Sequence, residues 1–331
     1  MASWPTIESD PAVFTELLQK MGVSGLKVEE LYSLDEDTIK ALPEVFGLVF
    51  LFKWSPGVMD YQPSQSSVDS GVYFARQMIT NACATQALIN ILFNIPEERL
   101  GDDKPVQNHI TFSEELMGFK HHTRYFDPEA RGSAINNYPF IREAHQSFER
   151  PAPVAMETST AGKEEDTFHY VAYVPHKDQN QGVDHVFELD GLSKYGPVDL
   201  GEVPQSHDWV SVAVPSIQNR IQLFESSEIR FSVLAVVADC RTQCREKISK
   251  LDKQIETLTE SVGESQEVKD LRAQRARLID YLEAEERKFE RWRVENVRRR
   301  HDYVPFLARL LELLAQRNEL FPAIERAKKS S

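Results

Sequence analysis

Hydrophobic positions follow one pattern in the first three quarters of the chain and another in the last quarter. In the first part, short apolar runs rich in β-branched and aromatic residues predict strands of a shared sheet. These runs are 48–52, 169–174, 186–190 and 229–237. Helical spacing appears between them, most clearly after Asp10-Pro11, where a capping residue and a first-turn proline precede Phe14, Leu17, Leu18 and Met21. This mixture predicts an α/β (α+β) domain.

The last quarter has a helical pattern throughout. Apolar residues alternate in steps of three and four at Ile248, Leu251, Ile255, Leu258 and Val262, and after residues 263–266 they resume at Leu271, Leu278, Leu282, Phe289 and Trp292. We therefore expect an all-α helical hairpin or short coiled coil. An amphipathic helix from Tyr303 to about Asn318, a turn at Phe321-Pro322 and a short terminal helix should follow. The predicted domains are 1–244 and 245–331.

Charge changes at the same boundary. Residues 245–331 contain 20 Lys and Arg against 17 Asp and Glu, which leaves 18 against 35 in residues 1–244. An acidic first region argues against nucleic-acid binding, which requires clustered Lys and Arg. No apolar run approaches the roughly 20 residues that span a bilayer, so we expect no membrane span. The chain has 3 cysteines and no basic-then-apolar N-terminal stretch, which indicates a reduced, intracellular protein.

Cys83 is the first candidate for chemistry. It lies in Asn81-Ala82-Cys83-Ala84-Thr85-Gln86, directly before a helical stripe of Leu88, Ile91 and Leu92. With Asn81 as a helix N-cap, Cys83 falls in the first turn, where exposed N–H groups and the helix dipole favour a thiolate. The alternative is a small buried core residue, because free cysteines are commonly buried and inert.

Two further residues could complete a thiol-based site. His169 lies on one predicted strand and Asp190 ends the next, where Gly191 permits a turn, so pairing of the two strands would make their side chains neighbours. A base that accepts the thiol proton and a group that orients the base are what a cysteine nucleophile needs. A structural His–Asp hydrogen bond is the alternative. Gln77 could stabilise an oxyanion, or it could be an ordinary surface or capping glutamine.

The chain resembles the ubiquitin C-terminal hydrolases, a papain-like cysteine protease family. The resemblance covers nearly the whole chain, through Glu8-Ser9-Asp10-Pro11, residues 47–54, residues 77–86, Phe168-His169-Tyr170-Val171, Glu188-Leu189-Asp190-Gly191 and residues 295–306. It implies a central antiparallel-rich sheet flanked by helices and followed by the helical tail. It also implies the long-tailed, proteasome-associated branch of the family, with a cytoplasmic and nuclear location.

Carried over to this sequence, the resemblance makes Cys83 the nucleophile, His169 the general base and acid, Asp190 its orienting partner and Gln77 the oxyanion donor. It implies hydrolysis after the terminal glycine of ubiquitin without a metal or other cofactor. The segment from Ser147 to Asp166, which includes Pro151, Pro153 and Gly162, would be a loop that crosses the active site and limits the size of the leaving group.

The resemblance also implies partners. They are ubiquitin and its conjugates, a proteasomal ubiquitin receptor bound through the last helices, and in some members a chromatin-remodelling complex. Leu320, Phe321 and Ile324 are the expected docking residues. Two hypotheses follow: an active deubiquitinating cysteine protease, or a restrained ubiquitin-binding scaffold. The intact set of Gln77, Cys83, His169 and Asp190 favours the first.

Overall fold

The computed structural model describes residues 4–53, 71–101, 110–149, 168–177, 184–193, 195–205, 208–224 and 231–330. The helices are α1 (Pro11–Lys20), α2 (Glu36–Lys40), α3 (Cys83–Asn94), α4 (Glu114–Thr123), α5 (Pro128–Ala134), α6 (Pro139–Gln146), α7 (Val210–Phe224), α8 (Arg241–Val262), α9 (Gln266–Arg300), α10 (Val304–Gln316) and α11 (Leu320–Ser330). The strands are β1 (Val23–Ser24), β2 (Leu26–Leu31), β3 (Val45–Lys53), β4 (Thr111–Phe112), β5 (Phe168–Lys177), β6 (Asp184–Asp190), β7 (Val198–Glu202) and β8 (Phe231–Ala238).

A six-stranded sheet in the order β2-β8-β3-β5-β6-β7 organises the described part of the first region, and every neighbouring pair is antiparallel. The four predicted strand runs correspond to β3, β5, β6 and β8. The predicted fold class, an antiparallel-rich sheet with flanking helices and a helical tail, is confirmed. Both edge strands, β2 and β7, escaped the sequence analysis.

Each face of the sheet has its own hydrophobic core. The larger core packs α1 and α3 against one face, and residues such as Phe14, Leu88 and Ala172 are fully buried in it. The smaller core packs α7 against the other face, around Phe50, Val171 and Ile217. Because α3 lies on one face of the sheet and α7 on the other, residues of both helices can contact side chains at the ends of the central strands.

Helix α1 begins as the sequence predicts. The Asp10 carboxylate accepts a hydrogen bond from the Ala12 N–H at 2.8 Å, and Pro11 occupies the first turn, where its missing N–H has no cost. Its apolar stripe is buried against β2 and the rest of the larger core. The Asp10 cap and Pro11 thus fix the point at which the preceding segment enters α1.

The tail folds as the predicted hairpin. Helices α8 and α9 pack together around the turn at residues 263–265, and the sequence-predicted junction at residue 244 lies in the first turn of α8. Helix α9 also packs on α1 and lies beside β2. There the Lys27 side chain, 2% exposed, forms ion pairs with Glu29 at 2.7 Å and with Glu285 of α9. The hairpin is therefore joined to the six-stranded sheet through a buried charge.

The end of the chain differs from the prediction in one detail. The turn between the last two helices is at residues 317–319, where Asn318 has a φ of +57°, and Phe321 and Pro322 lie in the first turn of α11. The predicted turn at Phe321-Pro322 is wrong because a proline is tolerated at the start of a helix as readily as in a turn. In the described part of the chain, no helix is both long enough and apolar enough to cross a bilayer.

Candidate active site

Cys83 is the first residue of α3, a helix whose other residues are all buried. The predicted N-cap at Asn81 is wrong. The residue before Cys83, Ala82, occupies the cap position without a side-chain hydrogen bond. Asn81 instead adopts a left-handed conformation with a φ of +64°, and its amide donates to the Trp4 carbonyl at 3.0 Å. The turn before Cys83 is therefore held by a distant segment and not by a cap of the helix itself.

The Cys83 thiol is largely enclosed. Sγ contacts the Phe168 carbonyl oxygen at 3.9 Å, at the first residue of β5, one position before His169. Burial raises the pKa of the thiol to about 11, although the backbone N–H groups of Cys83 and Ala84 at the helix start act in the opposite direction. The expected stabilisation of a thiolate by the helix start is thus present but is outweighed by desolvation in this conformation.

His169 and Asp190 are brought together as predicted. Strands β5 and β6 pair with Val171 opposite Asp190, and His169 lies two residues from that position on the same face. His169 Nε2 donates to Asp190 Oδ1 at 2.7 Å. This hydrogen bond fixes the ring and leaves Nδ1 as the proton acceptor. The edge of the ring also packs against Phe52 of β3, with the ring centroids 5.6 Å apart.

The Asp190 carboxylate is buried and fully engaged. In addition to His169, it accepts the Leu192 N–H at 3.0 Å and lies 3.5 Å from Arg220 Nη2. Burial alone would raise the pKa of this carboxyl, but the charges and hydrogen bonds of His169 and Arg220, with the Leu192 N–H, hold the pKa well below its usual range. Asp190 is therefore ionised at neutral pH and suited to stabilise a protonated imidazole.

Arg220 of α7 is a site residue that the sequence analysis missed. It is 5% exposed and forms ion pairs with two buried carboxylates, Asp190 and Glu188. Glu188 also accepts the hydroxyl groups of Tyr173 and Ser216, each at 3.0 Å. Through this cluster, the Asp190 carboxylate that bonds to His169 is anchored to α7, which lies on the face of the sheet opposite to α3.

A sequence signal for Arg220 existed. Val210, Ala213 and Ile217 are fully buried on one face of α7, and Arg220 follows three residues after Ile217 on the same face. An arginine that continues an apolar helical stripe must find a buried carboxylate, because an unpaired buried charge is very costly.

Gln77 lies beside the end of β6. Its backbone N–H donates to the Gly191 carbonyl at 2.8 Å, and a Cβ atom on Gly191 would approach Gln77 Cβ to 3.2 Å and Gln86 Nε2 to 2.3 Å. Gly191 is thus required by this close approach. The Gln77 side chain has a long contact from Nε2 to the Ile79 carbonyl, 3.4 Å, and its Oε1 is buried without a hydrogen-bond partner among the described residues.

Of the predicted gating loop, only the beginning can be placed. Ser147 is the C-cap of α6, and its Oγ donates to the Ala144 carbonyl and accepts from Lys20 Nζ, both at 2.7 Å. Pro151, Pro153, Gly162 and Asp166 lie outside the described residues.

The predicted docking residues lie at the start of α11. Phe321 is 78% exposed and Ile324 is 40% exposed, whereas Leu320 is half-buried. Helix α10 extends this apolar surface with further exposed residues, which are Phe306, Leu307, Leu310, Leu311 and Leu313.

Comparison with known proteins assigns the chain to a family. Residues 4–222 match the model of ubiquitin carboxyl-terminal hydrolase, family 1, and residues 275–320 match a second model of ubiquitin carboxyl-terminal hydrolases. The chain is 36% identical to ubiquitin carboxyl-terminal hydrolase isozyme L5 of Dictyostelium discoideum, over 98% of this chain and 95% of that protein. It is also 36% identical to ubiquitin carboxyl-terminal hydrolase ubh-4 of Caenorhabditis elegans, over 98% of this chain and 91% of that protein.

A solved structure agrees with this assignment. UCH37 of Trichinella spiralis, crystallised with ubiquitin vinyl methyl ester, has a TM-score of 0.61 and 35% sequence identity, over 87% of this chain and 99% of that chain. The family match over residues 4–222 and the relatives that align over nearly the whole chain agree. The chain belongs to family 1 of the ubiquitin carboxyl-terminal hydrolases and is a cysteine-type deubiquitinating enzyme.

Proposed function

We propose that this protein hydrolyses the bond that follows the C-terminal glycine of ubiquitin, with Cys83 as nucleophile and His169 and Asp190 as its proton-transfer pair. The observation that carries the proposal is the 2.7 Å hydrogen bond from His169 Nε2 to Asp190, with the Cys83 thiol held at Phe168, the neighbour of His169. A positioned base, an ionised orienting carboxylate and a thiol at a helix start are the groups that acyl transfer requires.

Each group has a defined step. When the thiol turns from Phe168 towards His169, its proton passes to Nδ1 and the thiolate attacks the glycine carbonyl carbon. The Gln77 amide and the Cys83 N–H donate to the oxygen that becomes negative. The imidazolium then protonates the departing amine, and a thioester remains. Finally, water gives a proton to His169, attacks the thioester and releases the ubiquitin carboxylate together with the Cys83 thiol.

Ubiquitin as the substrate is supported by the relatives and by charge. The Trichinella spiralis enzyme was solved with a ubiquitin probe. Residues 1–244 of this chain carry 18 basic against 35 acidic side chains, which suits a basic peptide such as the C-terminal tail of ubiquitin. The resemblance implies a loop that limits the size of the leaving group, and most of this loop lies outside the described residues. We therefore expect conjugates with a short peptide to be cleaved faster than conjugates with a folded protein.

The test is intact mass spectrometry after mixing the protein with ubiquitin that carries a thiol-reactive electrophile at its C-terminus. We expect one ubiquitin adduct on the wild-type protein and on Cys240→Ala, the matched control, and no adduct on Cys83→Ala. If the folded wild-type protein forms no adduct, the enzyme proposal fails and the ubiquitin-binding scaffold becomes the better account. An adduct that persists in Cys83→Ala would refute Cys83 as the nucleophile.

We further propose that α10 and α11 recruit the enzyme to a ubiquitin receptor of the proteasome. The exposed apolar surface around Phe321 and Ile324 supports this proposal, because a large apolar patch on a soluble protein marks an interaction site. Phe321→Ser should abolish binding to purified proteasomes in a pull-down, and Tyr125→Ser, which alters an equally exposed aromatic residue elsewhere, should not. Equal binding by both variants would refute this docking surface. Capture by a chromatin-remodelling complex in its place would redirect the proposal to that partner.

A further inference from the structure

The segment before α1, residues 4–10, lies against the turn that carries the nucleophile, and we call it the N-terminal strap. The Trp4 N–H donates to the Thr80 carbonyl at 3.0 Å, and the Trp4 carbonyl accepts from the Asn81 amide at 3.0 Å. We propose that the strap is a positioning element for Cys83 and that Arg299 of the tail fastens it. This inference rests on the proposed hydrolase activity.

The turn depends on the strap for its conformation. Asn81 has a φ of +64°, a left-handed conformation that non-glycine residues seldom adopt. Its side chain is tied to Trp4, and Ala82 gives α3 no side-chain cap. The described structure therefore stabilises the entry into α3 from outside the helix. Release of Trp4 would let the turn relax and move the thiol that follows two residues later.

His145 links the strap to the part of α3 that follows Cys83. His145 of α6 is fully buried, its Nε2 donates to the Pro5 carbonyl at 2.7 Å, and its Nδ1 accepts the Thr85 hydroxyl at 2.7 Å. The Trp4 ring packs on His145, with the centroids 4.8 Å apart. Thr85 is two residues after Cys83 on α3. The strap is therefore hydrogen-bonded directly to the turn before Cys83 and is linked through His145 to the helix after it.

The tail holds the other end of the strap. Arg299 of α9 bonds to both carboxylate oxygens of Asp10, at 2.7 and 3.2 Å, and forms an ion pair with Glu8 at 3.4 Å. The next residue, Arg300, bonds to Glu16 of α1 at 2.6 Å and does not contact the strap in the described structure. A continuous series of contacts thus links α9 to the turn before Cys83.

The strap is tested with steady-state kinetics on ubiquitin joined to a small fluorogenic leaving group. Trp4→Ala should lower kcat by about 10- to 100-fold, as expected for displacement of a reacting group by about an ångström, and should leave KM within about twofold. Trp4→Phe, which keeps the buried ring and the backbone bonds, should restore most of kcat. Asn81→Asp, which removes the donor to Trp4, should resemble Trp4→Ala and decides the matter if Trp4→Ala does not fold.

A kcat within about twofold of wild type in folded Trp4→Ala or Asn81→Asp would overturn the proposal. If the wild-type protein itself does not turn over, the hydrolase proposal has failed. The strap is then judged by the rate at which iodoacetamide alkylates Cys83, and an equal rate in wild type and Asn81→Asp would overturn it.

Arg299 and Arg300 provide a matched pair for the tail. They are adjacent on α9, their side chains are 23% and 25% exposed, and each pairs with an acidic residue of the first region. Arg299→Met should lower kcat by roughly three- to tenfold through loss of positioning, whereas Arg300→Met should stay within about twofold of wild type. Equal kcat values for the two variants would overturn the role of the tail in fastening the strap.

Discussion

The protonation state of Cys83 in the free enzyme gives a quantitative prediction. With a pKa of about 11, thiolate forms about 0.03% of the thiol at pH 7.5, roughly 300-fold less than for an ordinary cysteine with a pKa near 8.5. Thiolates of higher pKa are more nucleophilic. With a Brønsted slope near 0.45, the rise in pKa from 8.5 to 11 makes the thiolate itself about 13-fold more reactive. We therefore expect iodoacetamide to alkylate Cys83 about 20-fold more slowly than a free cysteine at pH 7.5.

The rate should also rise about tenfold per pH unit from pH 6 to pH 10, because only the thiolate reacts. Peptide mass spectrometry separates Cys83 from Cys240 and Cys244. His169→Ala is the control and should leave the profile unchanged, because the thiol contacts the Phe168 carbonyl and not the imidazole among the described residues. A rate that levels off below pH 8 in wild type, and not in His169→Ala, would show a thiolate–imidazolium pair in the free enzyme and refute the reasoning.

Three further predictions concern the buried charges. Asp190→Asn should lower kcat/KM by about 10- to 100-fold and His169→Ala by about 1,000-fold or more, because only the latter removes the proton acceptor; equal losses would contradict this division of roles. Arg220→Met should lower the free energy of unfolding by about 3–5 kcal/mol in urea titrations, because it leaves the two buried carboxylates that it bridges without their cation. It should also move the acidic limb of the kcat/KM profile to higher pH, since Arg220 lowers the pKa of Asp190, and an unmoved limb would count against that contact. Glu285→Gln leaves the buried Lys27 ammonium with one carboxylate fewer and should destabilise the protein by about 2 kcal/mol in the same titration. Lys27→Met removes the buried charge itself and should destabilise the protein less. The reverse order of the two variants would refute this explanation.

The strands that the sequence predicted are those buried on both faces. β3 and β8 are central in the sheet and read as continuous apolar runs, which leave few alternatives. The edge strand β2 has the sequence Leu26-Lys27-Val28-Glu29-Glu30-Leu31, in which charged residues hide the strand pattern. Its lysine is buried beneath α9, where it pairs with Glu285, more than 250 residues later, as well as with Glu29. No local reading of the sequence could supply that partner.

In the candidate site, too, features set by the local sequence were predictable and features set by distant contacts were not. Pairing of His169 with Asp190 followed from two adjacent strands and was predictable from local pattern. The N-cap prediction failed because asparagine is also among the few non-glycine residues that tolerate a left-handed conformation. Which of the two conformations Asn81 adopts depends on its hydrogen bond to Trp4, 77 positions away. Contacts between distant segments decide such cases.

The buried pairing of Lys27 with Glu285 limits how freely the tail could be exchanged among related enzymes. A chimera that joins this tail to another catalytic domain would need a lysine at the edge strand, with Glu29 beside it, and acidic groups that receive Arg299 and Arg300. Without them, the transplanted hairpin would bury carboxylates against an apolar or mismatched surface. The tail and the catalytic domain therefore depend on each other, because a substitution on one side of this contact restricts the residues that the other side can accept.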